Sequence, residues 1–335
     1  MIAVQGLTKY YGDQCAIADL DFEIQRGEIV GILGLNGAGK TTTLRILACL
    51  LLPSSGRVTI HDLDIYDNPH EIRKQVGFLP EEPPLYREMS VSSYLTFAAE
   101  LRGLSRADAR SRVEEVMELT ATREVGDVLI SNLSHGFRKR VGIGQSIVHK
   151  PPVLILDEPI SGLDPVQIVE MREMILALRG KHTIIVSSHI LPEISQTCDR
   201  ILVIQDGRLV ATGTEEELTG RLTGAHRLEV HVRGNRDMAV ALIKEIDGVV
   251  SCEPRDSSES VHELRVEAEK DVREALSQEI VQSGMGLLQL SPGEAELEAI
   301  FLQLTHSRPG KKPAAAAGKK TGAAGGSGKS TKEVA

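Results

Sequence analysis

Gly34-Leu35-Asn36-Gly37-Ala38-Gly39-Lys40-Thr41-Thr42 is the stretch from which the fold is read. It satisfies G-x-x-x-x-G-K-[ST], with Gly34, Gly39, Lys40 and Thr41 in the required places. Glycines let successive backbone N–H groups turn inward onto a polyphosphate, and the following helix adds the positive end of its dipole. Lys40 is then placed to neutralise the β- and γ-phosphates, and the Thr41 hydroxyl to ligate Mg²⁺. The flanks supply the context that the motif needs. Residues 28–33 are a short apolar run that reads as a buried strand, and residues 42–48 read as a helix.

Composition narrows the alternatives. The 335 residues are 41% hydrophobic and 25% charged with net charge −9, the make-up of a soluble globular protein of about two domains. The longest apolar run, residues 46–52, falls far short of the roughly 20 residues that span a bilayer. Met1-Ile2-Ala3-Val4-Gln5-Gly6 has no basic region leading into an apolar core, so no signal peptide is expected. Cys15, Cys49, Cys198 and Cys252 lack C-x-x-C spacing, which fits reduced thiols. A cytoplasmic protein follows, held at a membrane only through a partner. From residue 308 onward seven Lys or Arg stand against one acid, giving that tail +6 and leaving −15 on residues 1–307. Such an acidic body is a poor surface for nonspecific nucleic-acid binding.

Taken in order, residues 2–33 read as short strands broken by Gly12-Asp13 and Arg26-Gly27. Tyr11 precedes the phosphate loop by about one strand–turn–strand unit and is a candidate platform for an adenine ring. Residues 57–60 and 74–79 read as strands, the second running into the stiff acidic loop Pro80-Glu81-Glu82-Pro83-Pro84. Residues 90–150 look mainly helical, with Ser105 and Asp108 spaced as an N-cap pair. Val153-Leu154-Ile155-Leu156 reads as a strand buried on both faces and is closed by Asp157-Glu158-Pro159. A helix over 165–179 leads to Thr183-Ile184-Ile185-Val186 and then Ser187-Ser188-His189. Residues 200–204 and 208–210 form a hairpin turned at Asp206-Gly207. Several apolar strands thus run straight into a residue suited to phosphate chemistry: Lys40 with Thr41, Glu81, Asp157 with Glu158, and His189. Ligands of open parallel sheets sit beyond the carboxyl ends of the strands.

With these residues in view, residues 2–220 resemble the ATP-binding subunit of an ATP-binding-cassette (ABC) transporter. Besides the phosphate loop there is the Asp157-Glu158 pair, then Ser161-Gly162-Leu163-Asp164 as the D-loop, then His189 as the switch histidine. Leu133-Ser134-His135-Gly136-Phe137 resembles the signature L-S-G-G-Q, with His135 and Phe137 replacing Gly and Gln while Ser134 and Gly136 are kept. Glu81 stands where the family's Q-loop carries glutamine. These departures, with the C-terminal extension, resemble the subunits that drive ABC-2-type exporters, the drug-, sodium- and gliding-motility-related group. The other reading is a soluble ABC ATPase acting on ribosomes or DNA; the chain has neither a second cassette nor long coiled coils.

The resemblance implies a mechanism. Two cassettes close head to tail, so Ser134 and Gly136 serve the ATP of the other chain, a second copy or a homologous subunit. Asp157 and Thr41 hold Mg²⁺, Glu158 activates the attacking water, His189 contacts the γ-phosphate, and Asp164 belongs to the D-loop at the nucleotide. A separate transmembrane permease of ABC-2 type is the partner, coupled through the loop around residues 81–86. At Glu81 a carboxylate adds charge beside Asp157 and Glu158, so Glu81 is expected to approach the metal only when ATP is bound and to withdraw otherwise.

The expected fold is therefore α/β: a P-loop NTPase of ABC type over 1–222 with a helical subdomain at about 85–150. Residues 226–306 form a second domain, with strands at 227–233, 249–254, 261–267 and 286–291 and helices at 236–246 and 271–283. That β-α-β-β-α-β order reads as a small ferredoxin-like domain. Met238, Leu242, Ile243 and Ile246, and Val272, Leu276, Ile280 and Val281, are its expected apolar helix faces. A last helix is expected at 294–305, and the Lys/Ala/Gly-rich residues 307–335 are expected to be disordered.

Overall fold

Alternating and continuous apolar runs enter different sheets. The computed structural model describes residues 1–215, 217–218, 226–257 and 261–292. Strands β1 (Ile2–Tyr11) and β2 (Gln14–Ile24) pair antiparallel and bury Ile2, Val4 and Leu7 against Ile17, Leu20, Phe22 and Ile24. The alternation slips between Ile17 and Leu20, where Asp19 at φ 55° forms a bulge. With β4 (Ser55–Ile60) and β5 (Leu63–Asp64) they form a four-stranded sheet in the order β2-β1-β4-β5.

The second sheet runs β10-β9-β3-β8-β7-β6, with β3 (Ile29–Leu33), β6 (Val76–Leu79), β7 (Val153–Asp157), β8 (Thr183–Ser188), β9 (Arg200–Gln205) and β10 (Arg208–Gly213). Five strands are parallel and β10 closes one edge antiparallel. β3, β7 and β8 are buried along their whole lengths, because both faces are covered, and so they read as unbroken apolar runs. Val30, Ile32, Ile155 and Ile185 face the antiparallel sheet and α1 (Lys40–Leu47). Leu33, Leu154, Leu156 and Val186 face the other way, onto helices that include α3 (Val91–Leu101), α5 (His135–Ile147) and α6 (Pro165–Ala177).

Helix α5 lies directly on β6. A Cβ at Gly77 would stand 2.1 Å from the Ser146 carbonyl oxygen, so the strand must present glycine there. Helices α3 and α4 (Arg106–Leu119) form the outer part of the helical region. Ser105 caps α4, accepting from the Asp108 N–H at 3.2 Å and donating to the Asp108 carboxylate at 2.6 Å.

The strand expected at 74–79 begins later. Pro69–Gln75 is helix α2, with proline in its first turn and Ile72 buried, and only Val76–Leu79 extends. Proline's fixed φ starts this helix, a signal that the apolar pattern alone hides. After β8, the short helix α7 (Leu191–Ser195) packs beneath β3.

The C-terminal elements are β11 (His226–Arg233), α8 (Arg236–Lys244), β12 (Val249–Ser257), β13 (Val261–Ala268), α9 (Arg273–Gln282) and β14 (Gly286–Pro292). Their all-antiparallel sheet has the order β12-β13-β11-β14, that of a ferredoxin-like fold. Val230, Val232, Ile243, Leu264, Val266, Leu276 and Ile280 form a core of its own. Met238 and Val281, expected on the apolar faces, are instead exposed; in α8 the small Ala239 is buried. The helix expected at 294–305 and the tail from 307 lie outside the described residues.

Candidate functional site

Four parallel strands deliver the site. β3 leads into residues 34–42, β6 into Glu81, β7 ends in Asp157 followed by Glu158, and β8 is followed by His189. A cleft of about 570 Å³ is lined by Leu35, Asn36, Gly37, Gly39, Lys40, Thr41, Thr42, Glu81, Glu158 and His189. Gly34 and Ala38 are buried, and a Cβ at Gly34 would stand 2.5 Å from the Ile204 carbonyl oxygen. Gly39 has φ 107°, a left-handed region that glycine enters freely, and it starts α1.

The charges in the cleft are interlocked. Lys40 is buried; its Nζ donates to the Gly34 carbonyl at 2.7 Å and stands 3.2 Å from Glu158 Oε1. That contact is ionic rather than an aligned hydrogen bond, since Oε1 has no hydrogen-bond partner. Glu158 Oε2 lies 2.9 Å from His189 Nδ1. The Glu158 backbone sits at φ 50°, which costs a residue with a Cβ about 1–2 kcal/mol. Its N–H donates to Ser187 Oγ at 2.9 Å, and Ser187 Oγ donates to Asp157 Oδ1 at 2.6 Å. The turn carrying His189 is fixed by Ser188, whose hydroxyl donates to Glu193 and accepts from the Ile190 N–H. Burial pushes the Glu193 carboxyl above its usual range.

Lys139 completes this set, and nothing in the sequence pattern singled it out. It is 1% exposed, the largest fully buried side chain described. Its Nζ donates to the Glu81 carbonyl at 2.6 Å and to the Glu158 carbonyl at 2.8 Å. Burial pulls its pKa below the usual lysine value, while the charges of Glu81, Glu158, Asp157 and Glu82 oppose that. Glu81 is exposed and lines the cleft, its backbone carbonyl tied down by Lys139. A buried ammonium offsets part of the repulsion that its carboxylate was expected to add.

The remaining candidates lie elsewhere. Tyr11 is exposed at the tip of the β1–β2 hairpin, its ring 5.6 Å from Lys9 Nζ, and is not part of the cleft lining. Gln14, Cys15 and Ala16 of β2 line it instead. Ser134 caps α5, accepting from the Phe137 N–H at 3.3 Å, and Gly136 packs where a Cβ would push aside the tip of Gln167. Neither reaches the cleft of its own chain. His135 touches its own D-loop, with Nε2 3.4 Å from the Ser161 carbonyl oxygen. Asp164 caps α6 by accepting from the Val166 and Gln167 N–H groups, both at 3.0 Å.

The donors near the phosphate loop suit a hard cation. The Thr41 hydroxyl and the Asp157 and Glu81 carboxylates offer oxygen donors, and no cluster of three or more His, Cys, Asp or Glu able to hold a metal by itself occurs among the described residues. That is the donor set of Mg²⁺ bound through one or two carboxylates and the phosphates of a substrate. No helix among the described residues is long and apolar enough to cross a membrane.

Comparison with known proteins gives the family. Residues 17–161 match the family model described as "ABC transporter". The chain is 33% identical over 309 residues to the bacitracin transport ATP-binding protein of Bacillus licheniformis, covering 91% of this chain and 97% of that protein. It is 33% identical over 306 residues to the daunorubicin/doxorubicin resistance ATP-binding protein of Streptomyces peucetius, covering 91% and 92%. The Nod factor export ATP-binding protein I of Ralstonia nicotianae is 32% identical over 313 residues, covering 91% and 94%. Among solved structures, an ATP-binding subunit of an ABC transporter superposes with TM-score 0.60 at 32% identity, over 66% of this chain and 92% of that one. A dimeric ATP-binding cassette bound to ADP and phosphate shares the fold at 23% identity and TM-score 0.59, over 64% of this chain and 98% of its own.

Proposed function

Because the chain belongs to the ABC transporter family, as one of its ATP-binding subunits, we propose that it hydrolyses ATP at a cleft completed by a second cassette and thereby drives a separate ABC-2-type permease in export. The observation that carries this reading is spatial. Lys40, Thr41, Glu81, Glu158 and His189 are gathered in one cleft, while Ser134 and Gly136 stand apart from it. A signature that its own cleft does not use is free to serve that of a partner.

In this reading the phosphate loop and Lys40 bind the triphosphate. Thr41 and Asp157 hold Mg²⁺, with Glu81 beside them, and the ion neutralises phosphate charge when bound. Glu158 accepts the proton of the attacking water, and His189, already in contact with Glu158, orients toward the γ-phosphate. Tyr11 is offered as the adenine platform and Asp164 as a D-loop contact with the nucleotide. Export rather than uptake is supported by relatives named for drug resistance and for Nod factor export. The cassette then works on the cytoplasmic face of the membrane, held there by the permease. Among the described residues, none of the C-terminal sheet lines the cleft.

Mixing two inactive chains tests the composite site. Ser134→Arg spoils the signature and Lys40→Ala the phosphate loop, so each homodimer is inactive. A mixed dimer retains one site with both parts intact and is expected to recover hydrolysis. Mixed dimers that form and stay inactive would refute the shared site.

A further inference from the structure

The signature helix and the catalytic cleft of the same chain are joined by one buried charge. Lys139 rides on α5 five residues after Ser134, about 7.5 Å along the axis at 1.5 Å per residue. Its ammonium holds the carbonyls of both Glu81 and Glu158. The helix cannot slide freely past the strand beneath it. Gly77 already touches the Ser146 carbonyl, and a Cβ at Gly142 would meet Leu79 and Pro83 at 2.6 and 2.9 Å. Glu158 needs such a hold, because its φ of 50° is unfavourable for any residue with a side chain. Ser187 fixes its N–H, Lys139 fixes its carbonyl, and the carboxylate is thereby aimed between Lys40 and His189.

An apolar side chain would fill the same space without removing an ammonium from water, a cost that must be offset by the contacts the charge makes. Both of the acceptors described belong to loops that line the cleft, and neither lies in the helix that Lys139 comes from.

We propose that Lys139 is a positioning residue for hydrolysis: it sets the register of Glu158 and Glu81 within its own chain, and through α5 makes that register follow the signature that serves the other chain's nucleotide. The second half rests on the composite-site reading above, whereas the first does not. Lys139 does not line the cleft and acts through the two backbones it holds.

The test uses the purified full-length chain. Lys139→Met is expected to lower kcat by about tenfold or more, as small misplacements of a reacting group do, while the Kd for ATP stays within about threefold because Lys40 and the phosphate loop are untouched. Lys139→Arg, which can still donate to two carbonyls, is expected to recover most of the loss. Equal losses in the Met and Arg variants, both folded, would overturn the positioning role. So would an unchanged kcat in folded Lys139→Met.

Mixed dimers locate the effect. In a dimer of Ser134→Arg with Lys40→Ala, hydrolysis occurs only at the cleft of the first chain. Lys139→Met added to that first chain should abolish most of the activity, and added to the second should change it by less than about twofold. Equal damage from either chain would make Lys139 a mere prop of the signature helix and overturn the proposal. Absence of activity in the parent mixture would instead refute the composite site, and the kcat-against-Kd comparison would still decide the first half.

Discussion

The six-stranded sheet and the C-terminal four-stranded sheet bury similar apolar faces but send their strand ends in different directions. In the first, β3, β6, β7 and β8 run parallel, so the residues after each strand meet on one side. In the second, each paired neighbour is antiparallel, so consecutive ends alternate between the two edges. Polar side chains that end parallel strands are thereby concentrated, whereas those of the antiparallel sheet are scattered. The chemistry of this protein follows from strand direction as much as from residue identity.

The largest test of that contrast is Glu158→Gln, at a parallel strand end. Hydrolysis should fall by about 10²–10⁴-fold, the share of a general base, with ATP binding retained and an ATP-bound dimer accumulating. Near-normal turnover of the purified variant would remove Glu158 as the base. In the other sheet, Leu264→Ala empties a buried position and should cost about 2–5 kcal/mol of stability. Hydrolysis per folded molecule should nevertheless stay within about twofold, because no residue of that sheet lines the cleft. A parallel loss of activity and stability, followed by denaturant titration alongside the ATPase assay, would show that the two sheets do not act separately.

A finer comparison uses two helix caps. Asp164 caps α6 and Asn235 caps α8 by the same geometry, each side chain accepting from backbone N–H groups. Replacement of either by Ala should cost about 1 kcal/mol. Only Asp164→Ala should also slow hydrolysis beyond what its stability loss explains, since Asp164 lies in the D-loop. Equal kinetic behaviour of the two variants would reduce Asp164 to a cap.

The smallest effect concerns pH. Burial, with the charges of Arg102 and Arg112, holds His149 down at about 4, against an ordinary value near 6.5. Between those values the unfolded chain binds a proton that the folded chain refuses, so stability is full above pH 6.5 and falls as the pH falls toward 4. Because a single proton is involved, the contribution cannot exceed about 1.4 kcal/mol per pH unit. His149→Gln should flatten the acid limb of the melting temperature relative to the parent. Superimposable limbs would assign the acid sensitivity elsewhere, to His182 among others, which burial lowers in the same direction.

How far the sequence could be read tracks how local the signal was. The phosphate loop, Asp157-Glu158 and His189 each follow an apolar strand directly, so their shared cleft is legible in the sequence. The β-α-β-β-α-β order of the C-terminal domain was equally legible from alternation and helical spacing. Lys139 was not, because Arg138-Lys139-Arg140 reads as the solvated side of a helix. Only the close seating of α5 on β6 and the β7 end turns Lys139 and Arg140 inward, the latter onto Glu170 of α6. β6 starts two residues later than expected because Pro69 initiates a helix that still holds Lys74 and Gln75. Met238 and Val281 were assigned to the core by spacing alone, whereas tertiary packing leaves them in solvent.

Cys15 gives the cleft a property independent of its chemistry. Cys15 is an exposed residue on the cleft wall, its Sγ 3.3 Å from the Ile17 carbonyl oxygen, whereas burial drives the thiols of Cys49 and Cys252 up to about 11 and that of Cys198 higher still. At neutral pH a maleimide needs a thiolate, so it should find Cys15 well before the other three. The unmodified chain therefore carries its own optical reporter: a dye attached at Cys15 would brighten or dim as a nucleotide enters, and ATP added beforehand would slow the labelling.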